Sequence, residues 1–428
     1  MKISHKYFVK REPSNFLNHF AGLYTCVFLA TFIIVILYGS YSSADFGHSI
    51  FFMGMEPPWL PNKISAIPIL GQHYFGDFQL PFVMGNDWNP YTKGNIFNNI
   101  LPLGYLTFLF LGFLTLIKAF YVYVFISLIT YYYGIRLVCS SAPKSANILW
   151  TFALLNIPLM WCLDRGAPVL FVVSLYVLAI TKLMNGDKNS KHGHFWMICV
   201  AFCMSAKIYL FPAVLILLFG KALPYRKSLI ICTYFVLGNL ACSFIYTGPL
   251  NAMKQISVSL NATPGIGLSN VAGSVNFANL FERVANGVHM AEKFQQKAVT
   301  IISILSFLLA VMVAVMYRNK AITIIMSLSM VQYFASVSFR YTEIWAVFAI
   351  YILLSSNLLD TFRERRNGLY RYLLIALTVT LLPLPNNMEL FVSVGWVVAI
   401  VLLLLPKNTW LYGWRDIDNS KIQARGKT

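Results

Sequence analysis

Apolar runs of about 20 residues recur along almost the whole chain, and most of them close on Lys or Arg. A helix advances about 1.5 Å per residue, so a run of this length matches the roughly 30 Å hydrocarbon core of a bilayer. Little is left over from which to build a soluble fold. Of 428 residues only 11% are charged and 58% are hydrophobic, where a soluble domain carries about a quarter charged residues. The pattern predicts an all-α polytopic membrane protein, one bundle of about 10–12 transmembrane helices with no separate soluble domain.

Spans are predicted at residues 17–39, 119–138, 146–162, 168–184, 194–206, 207–220, 228–246, 298–317, 320–338, 344–359, 370–383 and 390–406. The pair 194–206 and 207–220 is short for two crossings and reads as half-helices meeting at Lys207, or as one re-entrant unit. Segment 101–117 is apolar but entered from a polar loop and closed by Lys118, and reads as re-entrant or lying on the outer surface. The first run, Phe16 to Tyr38, follows the basic stretch Lys2–Arg11. It is longer than the roughly 7–15-residue core of a cleavable signal and is expected to remain as the first helix.

The net charge of +18 is explained by topology, not by nucleic acid. With the N- and C-termini in the cytoplasm, 23 of the 33 Lys and Arg residues fall inside, beside six of the 15 acids. The inside then carries +17 and the outside +1, as the positive-inside rule requires. No dense basic stretch accompanies a soluble fold, so no nucleic-acid partner is expected. The seven cysteines lie in or beside apolar runs and form no CxxC, so neither a disulfide framework nor a zinc site is predicted.

This topology leaves two long extracytoplasmic loops, about 42–118 and about 247–297, both polar, aromatic and rich in Gly and Asn. Loops of this length are usually functional. The first holds Gly76-Asp77-Phe78-Gln79-Leu80-Pro81-Phe82 and, shortly after, Gly85-Asn86-Asp87-Trp88-Asn89-Pro90-Tyr91. Three further polar points sit at outer helix ends: Asp164-Arg165-Gly166, Lys207 in Ser205–Pro212, and Arg340-Tyr341-Thr342-Glu343. A carboxylate in the loop suits a base that takes a proton from an acceptor hydroxyl. Arg165, Lys207 and Arg340 suit the stabilisation of a departing phosphate. Each also has a plainer role: Asp77 as a solvated loop acid, Lys207 snorkelling to the interface, Arg340 pairing with Glu343, and Asp164-Arg165 as a self-satisfied turn.

Taken in order, these stretches resemble the GT-C glycosyltransferases, above all the polyprenol-phosphate-dependent mannosyltransferases of glycosyltransferase family 87 and the serotype-converting O-antigen glucosyltransferases. Asp77 matches their loop acid and Asn89-Pro90-Tyr91 their closing element. Asp164-Arg165-Gly166 resembles their Arg-Gly turn, and Ser205–Pro212 their Lys-x-x-Pro segment. The resemblance implies a GT-C-like bundle in a bacterial inner membrane with a periplasmic active site. It implies a hexosyltransferase that moves sugar, with inversion, from a polyprenyl-phosphate donor to a glycan or lipid-linked acceptor such as O-antigen. Asp77 is the expected base, with Asp45 and Asp87 as alternatives; Arg165, Lys207 and Arg340 are the expected phosphate ligands. Trp88, Asn89, Tyr91, Asp164, Asn270, Arg283 and Glu343 are expected to bind acceptor or sugar. No cofactor is implied, no metal ligand set is predicted, and a divalent ion is neither required nor forbidden. The rival readings are an O-antigen polymerase or ligase, relying on Arg283 and His289, and a flippase or other transporter, which needs ionisable groups at mid-bilayer depth.

Overall fold

In the computed structural model the described residues are 15–42, 78–79, 81–82, 100–138, 146–184, 190–247, 292–333, 340–355, 367–382, 395–396 and 398–401. Among them no strand occurs; all regular structure is helical. In chain order the helices are α1 (Asn15–Ser42), α2 (Pro102–Leu111), α3 (Leu116–Val138), α4 (Ala146–Leu154), α5 (Ile157–Arg165), α6 (Val169–Met184) and α7 (Ser190–Ala206). There follow α8 (Leu210–Phe219), α9 (Tyr225–Thr247), α10 (Glu292–Tyr317), α11 (Lys320–Tyr333), a 3-10 turn (Arg340–Glu343), α12 (Ile344–Ser355) and α13 (Asn367–Val379). Among the described residues, α3 and the stretch Tyr225–Phe244 of α9 are long and apolar enough to cross a membrane.

The centre of the bundle is α12, apolar on all sides. Each residue from Ile344 to Leu354 is buried, as an all-round apolar helix must be. Around it stand α3, α6, α11 and α13, while α8 packs on α10 and α11, and α7 on α2, α6 and α9. The outer helices carry the opposite arrangement. Phe125 of α3, Leu237 of α9 and Ile301 of α10 are 64%, 57% and 56% exposed, so large apolar side chains face outward along much of each helix.

Two apolar runs are interrupted, the first against expectation and the second where a break is expected. The run read as one span over 146–162 divides into α4 and α5 at Leu155-Asn156. Pro158 lies in the first turn of α5, where its missing N–H costs nothing. Asn156 caps that turn: its Oδ1 accepts from Leu159 N at 2.7 Å, and its Nδ2 donates to the Phe152 and Ala153 carbonyls at 2.9 Å each. The Tyr131 hydroxyl also donates to Ala153 O, at 2.9 Å, and the Tyr24 hydroxyl donates to Leu155 O. Thus the Phe152, Ala153 and Leu155 carbonyls, which the break would orphan, are satisfied by Asn156 and by hydroxyls from α3 and α1. The second interruption lies at residues 207–209, between α7 and α8, where the sequence places the junction of two half-helices.

Candidate functional site

The α5 C-terminus is the structural hub of the candidate site. Gly166 adopts φ 60° and ψ 33°, the left-handed conformation that ends a helix. The N–H of Ala167 reaches Cys162 O at 2.9 Å, and that of Gly166 reaches Leu163 O at 3.4 Å, which is the Schellman pattern. Glycine is required here for a second reason. A Cβ at 166 would lie 2.8 Å from Phe78 Cβ and 2.8 Å from Phe120 Cε2, inside any tolerable contact. The residue directly after Asp77 is therefore packed onto the turn directly after Asp164-Arg165.

Phe78 is held there by aromatic rings. Its centroid lies 5.5 Å from Phe82, 5.5 Å from Phe120, 5.2 Å from Tyr123 and 6.1 Å from Phe108, within the range of favourable ring pairs. Phe108 belongs to α2 and Phe120 and Tyr123 to α3, so the first-loop segment is clamped between these helices and α5.

The Arg340–Glu343 turn packs against α5, α6, α11 and α12, so it shares the α5 neighbourhood with Phe78. Its Glu343 is fully buried. The Trp345 indole donates to Gln332 Oε1 at 2.9 Å, which turns the Gln332 amide toward Glu343, and Gln332 Nε2 then lies 3.4 Å from Glu343 Oε1. Glu343, expected to contact acceptor, thus lies inside the bundle.

The Lys207 turn is joined to the same region through α2. Leu101 N donates to Ser205 O at 2.9 Å, and a Cβ on Gly104 would lie 2.7 Å from Ala206 Cα, so the start of α2 sits directly on the end of α7. Asn239 of α9 locks this contact. Its Nδ2 donates to Ser205 Oγ and Phe235 O, both at 2.7 Å, and its Oδ1 accepts from Leu103 N at 3.1 Å. Tyr105 and Phe108, further along α2, join the apolar cluster around Phe78. Lys207 itself is half-buried.

Of the expected residues, then, Phe78 meets the turn that follows Asp164-Arg165, the Arg340–Glu343 turn packs on the same helix, α5, and Lys207 is reached through α2. For Asp164, Arg165 and Arg340 the backbone alone is described. Asp45, Asp77, Asp87, Trp88, Asn89, Tyr91, Asn270 and Arg283 lie outside the described residues. Among the described residues no three His, Cys, Asp or Glu side chains come together as metal ligands would. The six described cysteines are free thiols. Sequence reasoning missed Asn156, Asn239 and Gln332, the polar residues that fix the helices carrying the site. Each stands as a lone amide in an apolar run, and that was the available signal. Comparison with protein-family models, curated proteins and solved structures returns no match.

Proposed function

We propose that this chain is a polytopic inner-membrane glycosyltransferase that moves a hexose from a polyprenyl-phosphate donor to an extracytoplasmic glycan or lipid-linked acceptor. Its surface supports the membrane part of this reading. In the most apolar windows of α3 and α9 only 28% of residues are buried, whereas the core helix of a soluble protein is mostly buried. Lipid covers such a surface at no cost, and the closed hydrogen bonds at the α4–α5 break meet the demand that backbone polar groups be satisfied inside the bundle. The lopsided charge, +17 against +1, supports the orientation.

The observation that carries the transferase reading is that Phe78 packs on Gly166, at the end of α5, and that the Arg340–Glu343 turn packs on α5 as well. Three stretches on which the resemblance rests, remote in sequence, thus have α5 in common. In the proposed reaction the acceptor oxygen bonds to the anomeric carbon as the bond from that carbon to the phosphate oxygen breaks. The hydroxyl proton passes to Asp77, and the electron pair leaves with polyprenyl phosphate, whose charge Arg165, Lys207 and Arg340 stabilise. Displacement from the opposite face inverts the anomeric centre.

The test is hexose transfer in proteoliposomes by Asp77→Asn, Asp45→Asn and Asp87→Asn. Asp77→Asn is expected to lower turnover about 100-fold or more and the other two by far less. Full turnover by Asp77→Asn moves the base to whichever of the other acids fails, and full turnover by all three removes the carboxylate base altogether.

One observation favours a transporter as the second reading. A fully buried Glu343 and two interrupted helices are features of carriers. Gradient-driven uptake of substrate that Glu343→Gln abolishes, without any sugar transfer, is the result that would favour it.

A further inference from the structure

The segment that brings Phe78 to the α5 turn carries a polar group without a hydrogen-bond partner among the described residues. Gln79 is fully buried, and neither its Oε1 nor its Nε2 has a hydrogen-bond partner. Among the described residues no other side chain has two buried polar atoms that both lack a partner. Its neighbours Phe78, Pro81 and Phe82 are apolar, and Phe78 and Phe82 are themselves buried. A leucine or methionine would fill that space without stripping water from an amide, so an unsatisfied carboxamide here is destabilising to the folded chain. A group retained at such a cost is explained by a partner outside the chain.

We infer that the Gln79 carboxamide binds hydroxyl groups of the sugar substrate, a role the resemblance does not assign to it. The chemistry fits that class. One amide offers an N–H donor and a carbonyl acceptor side by side, the complement of two neighbouring sugar hydroxyls of which one accepts and one donates. The position fits as well. Gln79 lies two residues after the expected base and one after Phe78, whose Cβ touches the turn that follows Asp164-Arg165. The hydroxyls belong either to the donor hexose or to the acceptor glycan. This inference rests on the transferase reading for its ligand, but on the burial of Gln79 for its site.

The experiment compares wild type with Gln79→Met, which keeps the volume and removes both polar atoms, and Gln79→Glu, which keeps an acceptor and removes the N–H. Each is reconstituted in proteoliposomes and followed by thermal unfolding and by hexose transfer. Glucosyl- and mannosyl-phosphoryl polyprenol serve as donors, with lipopolysaccharide as acceptor. Gln79→Met is expected to unfold at a higher temperature than wild type and to lose about 10- to 100-fold in kcat/KM, the loss of one or two hydrogen bonds. A rise confined to the KM for the lipid donor assigns the hydroxyls to the donor sugar; a rise confined to the KM for lipopolysaccharide assigns them to the acceptor. Unchanged transfer by a folded Gln79→Met overturns the inference. So does failure of both variants to fold, because the carboxamide then serves the fold. If wild type turns over no donor yet is stabilised by one, and Gln79→Met loses that stabilisation, Gln79 stands as a sugar ligand while the transferase reading falls. With neither turnover nor stabilisation, both fall.

Discussion

Gly166 shows how a single hydrogen in place of a side chain positions a site. Its left-handed backbone would cost another residue about 1–2 kcal/mol. The two 2.8 Å approaches add an overpacking cost of about 1–3 kcal/mol. Gly166→Ala is therefore expected to lower the unfolding free energy by about 2–5 kcal/mol and to abolish transfer, as measured by unfolding in detergent and by assay. The opposite sign is expected at Lys221. It holds φ 55° at the end of α8, with Lys221 N on Leu218 O at 3.0 Å and Ala222 N on Leu217 O at 2.9 Å. This is a Schellman motif with lysine where glycine is usual. Lys221→Gly is expected to stabilise the protein by about 0.5–1 kcal/mol and to leave transfer unchanged. The Arg165-Gly166 turn was legible in the sequence because a glycine after a charged helix end is a stop signal. That Phe78 is what presses on it was not legible, since no local pattern records which distant ring fills the space a glycine leaves.

At the scale of elements, the site depends on helices that do not run through. The 146–162 run was read as one helix because its apolar residues are continuous, and hydropathy gives no weight to one amide. Asn156 with Pro158 two residues on is nonetheless a helix-start signature, and the physics of capping chose it over continuity. Asn156→Ala removes the bonds to Leu159 N, Phe152 O and Ala153 O. It is expected to cost about 1–3 kcal/mol and to lower transfer by loosening α5, with Asn156→Ser, which keeps the cap acceptor, recovering part of the loss. Asn239 plays the corresponding part for Lys207. Asn239→Leu leaves Leu103 N and Ser205 Oγ without their amide partner. It is expected to raise the KM for the lipid donor more than it lowers kcat, because α2 and the Lys207 turn then lose their common anchor. The half-helix junction at Lys207 was legible, since two apolar runs too short to span met at a charge.

At the scale of the molecule, composition and charge carried most of the legible information. The apolar exterior of α3, α9 and α10 is the structural counterpart of the apolar runs read in the sequence. The topology makes its own prediction: reporter fusions at the 185–189 and 360–366 connections are expected to score cytoplasmic, and fusions within 42–100 and 248–291 periplasmic. The interior was far less legible. Glu343 reads in the sequence as part of a polar turn at an outer helix end, yet it is buried beside Gln332, which Trp345 orients, and only the folded arrangement of α11 and α12 supplies those partners. In the proposed function the molecule is a lipid-embedded scaffold whose polar turns serve a lipid-borne phosphate. Its most direct test is the anomeric configuration of product formed when the purified protein, in proteoliposomes, is given an isotopically labelled polyprenyl-phosphate hexose and a lipopolysaccharide acceptor. The account predicts transferred hexose with its anomeric centre inverted relative to the donor. A retained configuration would contradict the single-displacement chemistry, and no product from any polyprenyl-phosphate hexose would contradict the transferase itself.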